Sequence, residues 1–189
     1  MRISTLLAFG VPFGLAAQRP APSNAVRPFV SVDTPTFAIT HVRVIDGTGA
    51  PTKEDQTILV ENGRIAAIRP SAEFRVPSSA LVVDATGKTV IPGLVMVHEH
   101  LFYPSGPGVY GNFTESFSRL YLAGGVTSMR TGGNMNGFGE LAVARATNNW
   151  QKPGPWIDAT APYLEGPGLA LGQVYALKDA ADARRHVNY

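Results

Sequence analysis

The stretch Val90-Ile91-Pro92-Gly93-Leu94-Val95-Met96-Val97-His98-Glu99-His100 constrains this chain more than any other. Its apolar run ends in two histidines separated by one residue. Side chains along an extended strand alternate between faces, so His98 and His100 project from the same face, about 6 to 7 Å apart along the backbone. Two imidazoles on one face can hold one metal ion; the plainer alternative is that they cap a buried strand through hydrogen bonds to backbone. A strand this apolar, with no polar alternation before the histidines, is expected to be buried on both faces, as in a parallel sheet covered by helices. A parallel α/β barrel places its chemistry on polar residues at the carboxyl ends of such strands. The expectation is a metal at the mouth of a barrel.

Upstream the pattern is different. Phe37 to Ile45 alternates apolar and polar residues and is rich in β-branched types, so it reads as a half-buried strand ending at Asp46-Gly47. The runs Thr57–Glu61 and Arg64–Ile68 flank Asn62-Gly63, the strongest short hairpin signal, because both turn positions need positive φ. Leu81–Asp84 adds a further strand before Thr86-Gly87. A set of small antiparallel strands is expected, with His41 a solvent-facing residue on the first.

Downstream, strand, loop and helix repeat. Leu101 to Gly111 contains Pro104, Gly106, Pro107, Gly108 and Gly111 and is expected to be an irregular loop over the site. Asn112 and Glu115 form a capping-box arrangement ahead of a helix carrying Phe113, Phe117, Leu120 and Tyr121, which Gly124-Gly125 stops. Val126–Arg130 is a second strand, followed by a helix over Glu140–Asn148; Trp156–Ala161 is a third, followed by the loop Pro162–Gly172 and a last helix from about Asp179 to Val187. This is the βα pattern of a parallel barrel.

The chain begins with Met1-Arg2 and an almost wholly apolar run from Ile3 to Ala16, with small residues near Ala17. The run is too short to span a bilayer, and residues 1–17 are expected to be a cleaved secretory signal, leaving an exported, periplasmic or secreted protein without a stable membrane anchor. Residues 18–35, with Pro20, Pro22, Pro28 and Pro35, read as a linker. The chain has no cysteine, which excludes a disulfide framework, and a net charge of +2, which makes nucleic acid a poor partner.

Pro92-Gly93-Leu94 followed by His98-x-His100 resembles the first-strand signature of the amidohydrolase superfamily, most closely its imidazolonepropionase-like branch. The turns Val44–Gly47 and Asp84–Lys88 are similar to that family's as well. Many members carry an aspartate two residues before the first histidine, where this chain has Met96. The resemblance implies an α/β fold: a small N-terminal β-sandwich over residues 36–90, then over residues 91–189 the first part, about three βα units, of an incomplete TIM-like (β/α)8 metal-dependent hydrolase barrel. It implies that His98 and His100 are ligands of a divalent metal, most often zinc, as one or two ions. The implied reaction is hydrolysis of an amide, cyclic amide or peptide C–N bond by a metal-activated water, on a small-molecule or peptide-like substrate. The other ligands and the general base are expected on later strands, beyond Tyr189, so the chain reads as an N-terminal fragment inactive alone. A non-catalytic exported metal-binding or scaffold protein of the same fold is the competing reading.

Residues at strand ends are candidates for lining the pocket: Tyr103 after the metal strand, Arg130 and Asn134 after the second, and Tyr163 with Glu165 after the third. The plainer readings are a tight βα turn at Gly132-Gly133 and a solvated charge at Glu165. Glu99, by alternation, is expected to face the helix layer. Asp179, Asp182, Arg184, Arg185 and His186 read as a mixed-charge helix surface.

Overall fold

The computed structural model describes residues 20–135, 137–168 and 174–188; the expected signal segment lies outside them. The first sheet contains β1 (Thr36–Val44), β2 (Lys53–Glu61), β3 (Arg64–Pro70), β4 (Leu81–Asp84) and β5 (Thr89–Val90). β1, β2 and β3 are antiparallel neighbours, and the β2–β3 turn has φ of 50° at Asn62 and 75° at Gly63, the left-handed pair that its sequence demands. Val42, Val44 and Ile58 form its buried centre.

One expectation is corrected here. β4 and β5 pair parallel to β1 rather than antiparallel. The chain leaves β3 through a 3-10 turn at Ser71–Glu73 and returns by a crossover, the kind of connection that parallel pairing requires. The described residues form one mixed five-stranded layer here.

The second unit is a parallel sheet of β6 (Leu94–Glu99), then, after β7 (Phe102–Gly106), β8 (Val109–Asn112) and α1 (Thr114–Ala123), β9 (Val126–Thr131), and, after α2 (Phe138–Asn148), β10 (Trp156–Asp158). The strand order is β10-β9-β6. Leu101, Val126, Met129, Val143, Ala144 and Ile157 form the core between sheet and helices, with Met96, Phe117 and Tyr121 packed against it. Met129 is 2% exposed at its centre. Met129→Ala is expected to lower unfolding stability by about 2–5 kcal/mol, read as a drop in the urea midpoint.

The expectation that the histidine strand is buried on both faces is not met. Val95 and Val97 are 65% and 76% exposed. β6 bonds to β9 on one edge, and helices cover one face of this sheet; burying the other would take inward-facing residues of further strands.

The expected irregular loop after the histidines is instead a hairpin. β7 and β8 pair antiparallel around Pro107-Gly108, with Gly108 at φ 65°. Pro104 is tolerated because a two-stranded ribbon leaves one edge of each strand free of ladder bonds. Helix α1 also begins differently from expectation: the Asn112 carboxamide oxygen accepts the Thr114 N–H at 3.0 Å, a local Asx turn in place of a capping box. Its stop is as the glycines require, with the Gly124 N–H donating to the Leu120 carbonyl and Gly125 at φ 88°.

The stretch read as a linker holds structure. Arg27–Phe29 is a 3-10 turn, Val26 is buried, and the Ser23 N–H donates to the Trp150 carbonyl at 3.0 Å. This segment lies along the amino ends of the second sheet's strands, where Val26 and Phe29 face Trp150 and Trp156 across a shallow cleft.

Short strands β11 (Leu164–Glu165) and β12 (Tyr175–Ala176) pair parallel and lead into α3 (Ala180–Val187). Asp182 is not on a solvated surface as expected, being 2% exposed. Its carboxylate accepts the Lys178 N–H at 3.0 Å, an Arg185 guanidinium N–H at 2.7 Å and the Tyr175 hydroxyl, while its own N–H donates to the capping carboxylate of Asp179 at 2.7 Å. His186 stacks on Tyr175 at 3.9 Å between ring centres, away from the other histidines. The Lys178 N–H above all, with Arg185 and Tyr175, holds the Asp182 carboxyl below the usual carboxylate range. A depressed carboxyl stabilises the fold fully above its unfolded value, and that stability is lost as pH falls through the folded value. The α3 amide signals are therefore expected to hold steady from pH 7 to 5 and to collapse below about pH 4, whereas Asp182→Asn should loosen α3 already at pH 7.

Candidate metal centre

His98 and His100 stand at the carboxyl end of β6, and their rings meet edge to face with centres 5.2 Å apart. His98 is exposed; His100 is half-buried. The His100 Nδ1 is buried and has no hydrogen-bond partner. Burial, with the neighbouring His98 charge second, pushes the His100 pKa down against a smaller opposing pull from Glu99. An imidazole kept neutral with a buried lone nitrogen is the form a metal ligand requires. The backbone-capping alternative leaves this atom unexplained, so the donor set fits a divalent ion as far as it goes. Among the described residues, no group of three or more His, Asp or Glu side chains converges on a point.

Glu99 is turned to the helix layer, where it accepts the Tyr121 hydroxyl proton at 2.6 Å. The same hydroxyl lies 3.3 Å from the His100 carbonyl, so Tyr121 ties α1 to the Glu99 side chain and the His100 backbone. Burial, then the Glu99 carboxylate, pushes the Tyr121 phenol up to about 12, which keeps it a donor at any working pH.

Gly132 and Gly133 do more than make a tight turn. A Cβ on Gly132 would overlap the His98 ring, and one on Gly133 the Tyr163 ring. The Gly132 N–H donates to the Glu99 carbonyl at 2.7 Å, and its carbonyl accepts the Tyr163 hydroxyl at 2.8 Å. Two adjacent residues without side chains thus let the end of β9 close on the histidine strand and on the third strand's loop together.

His100 opens into a cleft of about 600 Å³. Tyr103 and Tyr163, expected at the pocket, both line it, and so does Glu165. Arg130 does not: it is turned outward into a 2.6 Å ion pair with Asp158 on the neighbouring strand. Asn134 is also absent from the wall; it is buried, and its amide donates to the Gly137 carbonyl at 2.9 Å, closing the β9–α2 connection. Both follow a strand end in sequence, but the backbone turn decides which side chains reach the mouth. The residues that the sequence reading missed are Phe102, Tyr110 and, from α1, Phe117 and Tyr121. Phe102 is the hub, with ring centres 4.7 Å from His100, 5.5 Å from Tyr110 and 6.2 Å from Tyr163. Aromatic residues flanking Pro107-Gly108 were the available signal for a hairpin that brings them there.

An α/β chain with paired histidines at a strand end defines a class, and comparison with known proteins agrees. The chain is 36% identical over 85 residues to an enamidase from Eubacterium barkeri, covering 45% of this chain and 22% of that protein. It is 37% identical over 86 residues to a dihydroorotase from Mycobacterium tuberculosis, covering 46% and 19%. A solved structure assigned as a prolidase from Bifidobacterium longum superposes with a TM-score of 0.61 at 28% identity, covering 81% of this chain and 37% of that one. No family model matches. These matches place about half of this chain with the amidohydrolase superfamily, and they span about a fifth of the length of these curated relatives.

Proposed function

We propose that this chain is part of an exported metal-dependent amidohydrolase that cleaves an amide, cyclic amide or peptide C–N bond, with His98 and His100 as two of its metal ligands. The observation that carries this reading is the pair of imidazoles 5.2 Å apart, one with a buried unpartnered nitrogen, at the edge of a cleft. Zinc suits neutral imidazole donors, and one or two ions are compatible with the set. A divalent ion held there supplies Lewis-acid polarisation of a carbonyl and water with a pKa near 7. The chain's own residues present two imidazoles, hold the Glu99 carboxylate and the His100 carbonyl through Tyr121, and shape an aromatic cleft for a small-molecule or peptide-like substrate. The remaining ligands and the base are assigned to a longer protein, a reading supported by the share of the relatives that the match covers. In that protein the exposed face of β6 and the open face of the first sheet are covered by further strands, completing barrel and sandwich.

A non-catalytic metal-binding or scaffold role for this chain alone is the second reading, favoured by the lack of a third converging ligand among the described residues. Competition of the 189-residue chain with a chromophoric chelator tests the shared part of both: one zinc per chain is expected, and no uptake would remove both readings. Reading-frame sequence beyond Tyr189 then separates them, because strand-end histidines and a lysine-bearing strand are expected only for the enzyme.

A further inference from the structure

The wall of the cleft has a chemistry that the metal does not explain. Tyr103, Tyr110 and Tyr163 present ring surface to it, backed by the buried Phe102, and its carboxylates are Glu99 and Glu165. Among the described residues that line it, none is a lysine or arginine. Glu99 is engaged by Tyr121, so Glu165, which is exposed at the rim, is the carboxylate available to a ligand. Ring faces carry negative quadrupole potential, and a carboxylate beside them adds a full charge of the same sign. Such a wall attracts an organic cation and repels an anion.

Resting on the reading of this cleft as the substrate site, we propose that it is a cation-recognising subsite: the substrate carries an ammonium, guanidinium or quaternary ammonium group, held against Tyr103 and Tyr110 and paired with Glu165. The β7–β8 hairpin supplies two of the rings, so it sets specificity by presenting them over His100. Burial, then the nearby Glu140 and Tyr110, raises the Tyr163 phenol, which keeps its hydroxyl a neutral donor to Gly132 while its ring faces the cleft.

The test is binding rather than turnover. Choline and its neutral isostere 3,3-dimethylbutan-1-ol are titrated into the 189-residue chain in EDTA, by calorimetry and saturation-transfer NMR. Choline is expected to bind at least about fivefold more tightly, and Tyr103→Leu and Glu165→Gln are each expected to cut that preference about threefold or more. Both residues are exposed, so neither substitution touches the core, and an unchanged thermal transition checks this. Equal or tighter binding of the neutral alcohol, absence of binding by either, or a preference unmoved by both variants overturns the proposal. Because no metal is present in the assay, a failure here leaves zinc uptake at the histidines standing, and a failure of zinc uptake leaves this result standing.

Discussion

Replacing His98 and His100 together with alanine is expected to abolish zinc uptake by the chain, with affinity falling by more than about 100-fold in chelator competition. Loss of residues that merely orient ligands costs 10–100-fold, so loss of the donors themselves must cost more. Either single variant should lose most of the affinity, since one imidazole leaves an ion to water and to chance contacts. The fold should be little affected: His98 is exposed, and His100 lines a cleft rather than the core. Removing His100 also removes the orphaned Nδ1, a buried polar atom that costs stability in the metal-free chain. The metal-free double variant should therefore melt at the same temperature as the parent or slightly higher, and zinc should raise the midpoint of the parent alone. Zinc affinity unchanged in the double variant would place the ion elsewhere.

Gly132→Ala should disable the same site without removing a ligand. The added methyl overlaps the His98 ring, but His98 is exposed and can swing outward, so the cost to stability should stay under about 1 kcal/mol. The cost to zinc affinity should be about 10–100-fold, because a site held even slightly too loose loses its geometry. Gly133→Ala gives the opposite balance. Gly133 has φ of 128° and faces the half-buried Tyr163 ring, so stability should fall by roughly 1–3 kcal/mol while the histidines are left in place. Chelator competition and thermal melts on the two neighbouring variants separate these outcomes. If Gly132→Ala binds zinc as the parent does, His98 is not a ligand in the rotamer described.

How far the sequence reveals this structure depends on the range of the interaction. The Asn62-Gly63 hairpin is legible because both residues state their own backbone conformation. The stop of α1 at Gly124-Gly125 is legible because glycine admits the left-handed conformation found at Gly125. The parallel pairing of β4 with β1 is not, since β-branched composition favours a strand without naming its partner. The β7–β8 hairpin was hidden by Pro104 and its glycines, which suggest a broken loop until pairing shows that the proline sits where no ladder bond is needed. Arg130 and Asn134 were placed at the pocket by their order after a strand end, but their neighbours Asp158 and Gly137 take them away from it. Asp182 looked like surface charge because sequence spacing cannot report the Lys178 N–H or the Tyr175 hydroxyl that bury it.

The sequence by itself determined that two imidazoles emerge from one strand end, because that follows from local backbone geometry and the order of residues. Only the tertiary structure decided what surrounds them: a glycine pair that admits the His98 and Tyr163 rings, a tyrosine from α1 that holds the intervening glutamate, and a hairpin that builds an aromatic wall. Those contacts join residues up to 61 positions apart, from His98 to Gly132 and from Phe102 to Tyr163, and arise from close packing, in which the shape of one element selects what can lie against it.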